Sequence, residues 1–245
     1  MIHHSFAFYG FSFFGLMLLR YFILAGGIYW LLRRGSKAAN TNPTEATINE
    51  DIKLSMLSSV IFSLGAASIM VAYDSGITRL YLDIYQYPLW YLALSYLLVI
   101  VLQDTYFYFL HRLFHHPALF AWLHRGHHRS IDPTPWTSFA FDLLESVAHL
   151  LFLVGVVFTL PLHFVTMIAV LMTMTIWSVM NHLGRHWLPT NFPHHWCGKW
   201  FIGPAHHSMH HHQYRYHYGL YFTFWDRQLG TESPKYDQEL MDSMP

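Results

Sequence analysis

The chain has 245 residues, of which only 11% are Asp, Glu, Lys or Arg, where soluble domains carry about 25%. Hydrophobic residues make up 53% of the chain and aromatic residues 18%, a composition that excludes disorder and argues against a soluble globular domain. The 14 basic residues equal the 14 acidic ones, so the chain lacks the basic excess expected of a nucleic-acid-binding protein.

Two apolar runs in the first third of the chain are long enough to cross a bilayer, which takes about 20 helical residues. The first, 6–32, is interrupted only by Arg20, which we interpret as a snorkelling side chain. It is too long for a simple signal peptide. The second, 54–73, contains no charged residue. A polar linker at 36–51 separates the two predicted spans.

Three further spans follow. Residues 89–102 continue through Gln103 and Asp104 into 105–110, so the third span carries polar groups near its end. The run 147–180 has no charged residue and would measure about 51 Å as one helix, too long for an upright crossing. Because Pro161 near its middle would kink or break a helix, we predict two spans, 147–160 and 162–180. The sequence therefore predicts an all-α integral membrane protein with about four to five transmembrane helices.

These spans place most basic residues on one side of the membrane. With alternating crossings, 12 of the 14 basic residues fall on that side, all except Arg20 and Arg79. Basic residues favour the cytoplasm, so this face is predicted to be cytoplasmic. It also receives 16 of the 20 histidines, which predicts a histidine-rich helical cap there. The other four, His3, His4, His149 and His163, are interpreted as ordinary interfacial or hydrogen-bonded residues.

Three histidine boxes lie on the predicted cytoplasmic face. The first is His111 with His115, the second is His124, His127 and His128, and the third is His207, His210 and His211. Residues at i, i+3 and i+4 share one face of a helix, so imidazoles at these spacings can reach one metal or adjacent metals. His182 and His186, after the last span, add one or two candidate ligands.

Eight histidines in three boxes exceed the three or four ligands of one zinc site, so the pattern predicts two metal ions. The chain has one cysteine, Cys197, which excludes an intrachain disulfide and a Cys-ligated iron–sulfur cluster. The ligands must then be imidazoles, which suit zinc, copper, iron and nickel alike. Ligand type therefore leaves the metal open.

Several residues beside the boxes have two possible roles. Asp104 lies on one helical stripe with His111 and His115, where it could accept a second hydrogen bond from an imidazole or bind metal directly. Asp142 and Glu145 could orient ligands or be solvated acids at a helix start. Four histidines beside the boxes are alternative ligands, namely His116, His206, His212 and His217. His206 with His210 has the same i, i+4 spacing as His207 with His211 and is an alternative register to that pair.

Three segments of this sequence resemble the fatty acid hydroxylase/sterol desaturase superfamily of integral-membrane, non-haem di-iron oxygenases. They are DTYFYFLHRLFHHP at 104–117, LHRGHHRSIDPTPWTSFAF at 123–141 and AHHSMHHHQYRYHYGLYFTFWDRQLGT at 205–231. The resemblance covers roughly 50–231 and is most similar to the sterol 5-desaturase (lathosterol oxidase)-like enzymes. It implies a catalytic domain at 54–231, with an N-terminal span and linker at 1–53 and a polar tail at 232–245.

The resemblance also implies the ligands of a di-iron site. Transferred by position, the catalytic and metal-binding histidines are His111, His115, His124, His127, His128, His182, His207, His210 and His211. Asp226, in a Trp-Asp-Arg segment, is implied as a residue supporting the ligands, together with Asp104. Two positions depart from the family pattern, since His217 stands where the family has Asn and Ser178 where some hydroxylases have His. We take His186 as the tenth ligand instead.

The implied reaction is an O2-dependent desaturation or hydroxylation of an unactivated C–H in a membrane lipid, either a sterol or a fatty-acyl lipid. The implied cofactors are two iron ions, with zinc possible in the isolated protein. The chain has no GxGxxG fingerprint, so electrons must come from an external cytochrome or ferredoxin with its reductase. Arg112, Arg125, Arg129 and Arg185 could dock that donor or simply set the topology.

Two other classes of function remain as alternatives. A membrane metal transporter or sensor would place its ligands within the spans, near the midplane. A zinc-dependent membrane hydrolase would need three protein ligands and an acid/base glutamate, and no HExxH motif occurs in the sequence. The bacterial inner membrane, or the endoplasmic reticulum in a eukaryote, is the expected location.

Overall fold

The computed structural model describes residues 4–34, 43–184 and 194–238. The chain begins with α1 (Phe6–Tyr21), a π-helical turn (Phe22–Gly26) and α2 (Gly27–Arg34), which together form one apolar helix of 29 residues. The Ser5 side chain caps this helix by accepting a hydrogen bond from the Phe8 N–H. An added Cβ at Gly26 would lie 2.8 Å from the Trp136 ring, so this π-helical turn packs closely on a later loop.

Arg20 packs against the protein from within this first span. Its guanidinium lies over the Phe139 ring, 5.1 Å from the ring centroid, a distance at which a cation is attracted to an aromatic face. This contact gives the Arg20 charge an aromatic partner within the protein, and the snorkelling interpretation stays a prediction.

Four more long helices complete the bundle. They are α3 (Glu45–Asp74), α4 (Trp90–Phe114), α6 (Leu143–Thr159) and α7 (Phe164–Asn181), with α5 (Pro117–Leu123) between α4 and α6. Within the described part of the chain, four helical segments are long and apolar enough to span a membrane: the first helix, α3, α4 and α7. The apolar helix α6 is shorter, with 17 residues. The predicted all-α membrane fold is confirmed, including the helix break at Pro161.

A short parallel pairing closes one end of the bundle. The two-residue strand β1 (Leu80–Tyr81), after α3, pairs with β2 (Leu162–His163), between α6 and α7. The His163 side chain caps α7 through the Val165 N–H, and its Nε2 lies 2.9 Å from the Leu82 carbonyl oxygen. Because α4 and α7 both start near this end, their carboxyl ends, which carry histidines, meet at the opposite end.

The C-terminal part of the chain packs across that opposite end. It contains α8 (Pro204–Gln213) and α9 (Phe224–Gln228). Tyr221, 1% exposed, joins a core cluster with Val99 of α4, Val157 of α6 and Val170 of α7. The segment is thereby anchored on the membrane helices, with α8 held against the end of α7.

Candidate metal centre

Among the described residues, nine histidines converge at the carboxyl ends of α4 and α7. They form two groups, and within each group the candidate ligand atoms lie within 4.8 Å of one another. The five-histidine group contains His111, His115, His124, His128 and His210, and the four-histidine group contains His127, His182, His207 and His211. All are buried except His115, which is partly exposed.

The first histidine box lies at the end of α4, where His111 is in the last turn and His115 is the C-cap. The second box does not lie on one helix face, although its i, i+3 and i+4 spacing would allow that in a continuous helix. His124 caps the end of α5, and His127 and His128 lie in a separate 3₁₀ turn. This local break lets His127 and His128 turn into different groups.

The third box lies on α8 and is also divided between the groups. His210 joins the five-histidine group, whereas His207 and His211, one turn apart, join the four-histidine group. His182, the C-cap of α7, completes the latter. Spacing alone identified these histidines but did not indicate their division.

Backbone carbonyls orient most of the imidazoles. A carbonyl oxygen only accepts hydrogen bonds, so the Nδ1 atom facing it must carry the proton, which leaves the Nε2 lone pair free for a metal. The Nδ1 contacts are His111 to Tyr218 (3.0 Å), His127 to Ala140 (3.3 Å), His182 to Ser178 (2.7 Å), His210 to Tyr216 (2.7 Å) and His211 to Ser130 (2.9 Å).

The Nε2 atoms then face one another at short range. The separation is 3.1 Å for His128 with His210, for His182 with His207 and for His207 with His211. The Nε2 atoms of His111, His115 and His124 are buried without a hydrogen-bond partner. Metal–nitrogen bonds of about 2.1 Å place neighbouring ligand atoms about 3.0–3.4 Å apart. The side chains present therefore fit a pair of metal ions.

Burial keeps these imidazoles neutral, which is the form that binds metal. Burial, assisted by repulsion from His111 and His127, lowers the pKa of His115 to about 2. Burial also lowers the pKa of His182 to about 4, although its hydrogen bond to Ser178 acts in the opposite direction. For His124, His128 and His210, burial and the surrounding imidazoles lower the pKa well below its usual value.

Asp104 and Asp226, the two carboxylates predicted to support the ligands, accept hydrogen bonds from backbone N–H groups and not from imidazoles. Asp104 Oδ1 accepts hydrogen bonds from the N–H groups of Tyr221 (2.8 Å) and Phe222 (3.1 Å). Asp226 accepts from the N–H groups of Tyr218 and Gly219, both at 2.9 Å, and from the Thr231 hydroxyl. Burial raises the pKa of Asp226 to about 6, against the effect of these hydrogen bonds. Both carboxylates thus hold the loop whose Tyr218 carbonyl orients His111.

In the part of the chain that the structure describes, Glu145 is the carboxylate that directly contacts a candidate ligand. Its Oε1 lies 2.8 Å from His124 Nδ1 and 3.7 Å from His149 Nε2, and its side chain is 2% exposed. Nearby, Asp142 accepts a 2.7 Å hydrogen bond from the Gly126 N–H. The ambiguity left by the sequence is therefore resolved by position, since Glu145 is a buried partner of His124 and not a solvated acid. A carboxylate on the distal nitrogen of a ligand histidine orients it and raises its basicity.

The alternative histidines lie outside both groups. His116 caps α5, and exposed His212 lies 2.9 Å from Asp132. His206 and His217 form a separate buried pair, with ring centroids 5.0 Å apart, in which the Tyr236 hydroxyl lies 3.1 Å from His206 Nδ1. His186 lies outside the described residues.

Gly219 lies in the loop that Asp226 holds, at a point where the loop folds back on itself and leaves no room for a side chain. A Cβ at this position would lie 2.5 Å from the Phe222 carbonyl oxygen and 3.0 Å from Asp226 Oδ2. Gly219→Ala is expected to lower the free energy of unfolding by about 1–3 kcal/mol, since backbone must move to make room. Thermal unfolding in detergent measures this loss. Gly155→Ala in α6, where a Cβ meets nothing within 4 Å, is the matched control, and an equal loss in both variants would contradict the steric argument.

Comparison with known proteins places this arrangement in a family. The fatty acid hydroxylase family model matches residues 96–231. A Delta(7)-sterol 5(6)-desaturase, ERG3B of Gibberella zeae, is 31% identical over 188 residues, which cover 75% of this chain and 55% of that protein. Lathosterol oxidase of Rattus norvegicus is 30% identical over 214 residues (86% of this chain, 70% of that protein), and the Homo sapiens enzyme is 28% identical over 186 residues (75% and 60%).

The chain spans about half the length of the first of these relatives. No solved structure matches the chain significantly. The region matched by the family model nevertheless contains all nine converging histidines and covers more than half of the chain. The chain therefore belongs to the fatty acid hydroxylase family.

Proposed function

We propose that this protein is an O2-dependent oxidoreductase that desaturates or hydroxylates an unactivated C–H bond of a membrane lipid at a histidine-ligated pair of irons. The observation that supports this most directly is the pair of adjacent buried histidine groups at the ends of membrane-length helices. Bound iron would supply the redox chemistry that activates O2. The names of the sterol desaturase and lathosterol oxidase relatives favour a sterol substrate and desaturation.

The protein's own residues contribute binding, orientation and exclusion of water. Neutral imidazoles offer their Nε2 atoms toward the metal positions, and backbone carbonyls hold the rings from behind. With eight of the nine rings buried, the site excludes solvent that would intercept a reactive oxidant. Because the groups lie where α4 and α7 end, an apolar substrate can stay in the bilayer while its target carbon reaches the metals.

The same proposal includes a cytoplasmic active site and an external electron donor. The positive-inside rule supports this orientation. Among the arginines considered for docking, Arg129 lies 2.9 Å from Glu50 and Arg112 Nη1 lies 3.5 Å from the Tyr108 hydroxyl. Arg129 is thus partly neutralised, which favours Arg112 and Arg125 for contact with an acidic cytochrome or ferredoxin among the described arginines. Arg185 lies outside the described residues and stays a candidate.

Metal and O2 measurements test the reaction class. Purified full-length protein is expected to contain about two irons per chain and to consume O2 when supplied with reductant and lipid. Tight zinc without O2 consumption would contradict the proposal and favour a hydrolase. Metal that crosses the membrane in vesicles, without lipid turnover, would instead indicate a transporter.

Lipid profiling tests the substrate. Cells that express the protein are expected to accumulate a lipid that has lost two hydrogens or gained one oxygen, compared with cells lacking the gene. Cells expressing His127→Ala provide the matched control for protein insertion into the membrane. An identical lipid profile with the wild type and this variant would count against the proposed activity.

A further inference from the structure

Helix α3 supplies none of the nine converging histidines, yet it carries a buried polar stripe. Asp51, Ser55 and Ser58 are 2%, 0% and 1% exposed, and their i, i+4 and i+7 spacing places them on one helix face. A carboxylate buried in a membrane-length helix is costly unless its oxygens are hydrogen-bonded. The hydrogen-bond partners of this stripe therefore indicate which part of the protein the carboxylate holds in place.

The stripe binds a loop, residues 130–140, that follows the second histidine box. Ser130 Oγ lies 2.8 Å from both carboxylate oxygens of Asp51, and Thr137 Oγ1 donates to Asp51 Oδ2 at 2.7 Å. Seven residues along α3, the Ser58 hydroxyl donates to the Phe139 carbonyl at 2.7 Å. Both ends of the loop are thus held to α3 through side chains.

This loop in turn orients members of the four-histidine group. Its Ser130 carbonyl accepts from His211 Nδ1 at 2.9 Å, and its Ala140 carbonyl accepts from His127 Nδ1 at 3.3 Å. A third connection is indirect, because the Ser178 hydroxyl donates to the Ser138 carbonyl at 2.6 Å, and the Ser178 carbonyl accepts from His182 Nδ1.

The five-histidine group has different supports. Its imidazoles contact the carbonyls of Tyr216 and Tyr218 and the carboxylate of Glu145, and Asp226 holds the Tyr218 backbone. The imidazoles of the two groups are therefore held by different parts of the chain. Loss of the hydrogen bonds that hold one group should affect the metal position of that group more than the other.

We propose that Asp51 is a positioning residue for the four-histidine group, acting through the 130–140 loop. Replacement of its carboxylate should weaken metal binding at that group and leave the five-histidine group unchanged. This inference rests on the two-metal site of the proposed function. Loss of a residue that orients metal ligands lowers metal affinity by about 10–100-fold, and this is the effect expected at one of two sites.

The test is an equilibrium titration with Co²⁺ of the full-length protein in detergent, after removal of bound metal with a chelator. Wild type is expected to bind two Co²⁺ per chain. Asp51→Asn is expected to weaken one site about 10–100-fold, whereas Glu45→Gln, an exposed acid at the start of the same helix, should match wild type. Unchanged binding in Asp51→Asn, or equal weakening of both sites, overturns the inference.

Double variants identify which site is weakened. In a His207→Ala background, which already lacks the four-histidine site, Asp51→Asn should cause no further loss. In a background carrying both His115→Ala and His210→Ala, which leaves three of the five histidines, it should weaken the remaining site about 10–100-fold. The reverse pattern would assign Asp51 to the other group and overturn the inference.

Ser58→Ala provides a second test that preserves the carboxylate. Ser58 binds the loop, whereas its neighbour Ser59 donates only within α3, to the Ser55 carbonyl at 2.7 Å. A weaker four-histidine site in Ser58→Ala but not in Ser59→Ala supports the loop mechanism, and identical binding in the two variants overturns it. Wild type that binds fewer than two Co²⁺ would instead contradict the proposed function itself.

Discussion

Replacement of His210 by alanine is expected to abolish lipid oxidation, whereas replacement of His212, two residues away, is expected to leave it near wild type. His210 is 0% exposed, its Nε2 lies 3.1 Å from that of His128, and its Nδ1 contacts the Tyr216 carbonyl. His212 faces outward toward Asp132. Loss of a direct ligand should exceed the roughly 10–100-fold effect of losing a supporting residue.

Product formation and metal content, measured on the same membrane preparations, distinguish the two variants. His210→Ala should also lose bound metal, while His212→Ala should retain about two ions. His127→Ala, which removes a ligand of the four-histidine group, should likewise abolish turnover. Full activity in His210→Ala, or equal losses in His210→Ala and His212→Ala, would refute the assignment of ligands.

The second large effect is expected for Asp226→Asn. The carboxylate accepts two backbone hydrogen bonds and one from the Thr231 hydroxyl, and an amide of the same size replaces one acceptor oxygen by an N–H₂ donor. A buried N–H would then lose its partner, which costs about 1–3 kcal/mol. The Tyr218 carbonyl should shift as well, so His111 loses its orientation and metal affinity at the five-histidine group falls about 10–100-fold.

Thermal unfolding and the metal titration described above measure the two effects of Asp226→Asn. Glu232→Gln is the matched control, because Glu232 is partly exposed and lies 3.6 Å from Arg227, a pairing worth little at a protein surface. Lower stability with both metal sites intact would limit Asp226 to a structural role. Wild-type stability and binding would contradict the proposed part of Asp226 in holding the loop.

The apolar runs and the histidine spacing allowed much of this protein to be predicted. Uncharged runs of about 20 residues match the length of a membrane-spanning helix, in which all backbone hydrogen bonds form within the segment. The helical bundle and its break at Pro161 therefore followed from local sequence. All nine converging histidines are likewise among the ligand candidates that the sequence predicts. Helix periodicity places residues on a common face, and that was sufficient to identify the boxes at the end of α4 and on α8.

Only the tertiary structure divided those histidines into groups of five and four. The division depends on a break in the helix between His124 and His127 and on where α8 crosses the ends of α4 and α7, neither of which is specified by spacing within a box. The same limitation applies to the carboxylates. Asp104 shares a stripe with His111 but bonds to backbone 117 residues away in sequence, and Asp51 reaches its partners across 79 and 86 residues. Local periodicity predicts which side chains share a face, whereas long-range packing determines what that face meets.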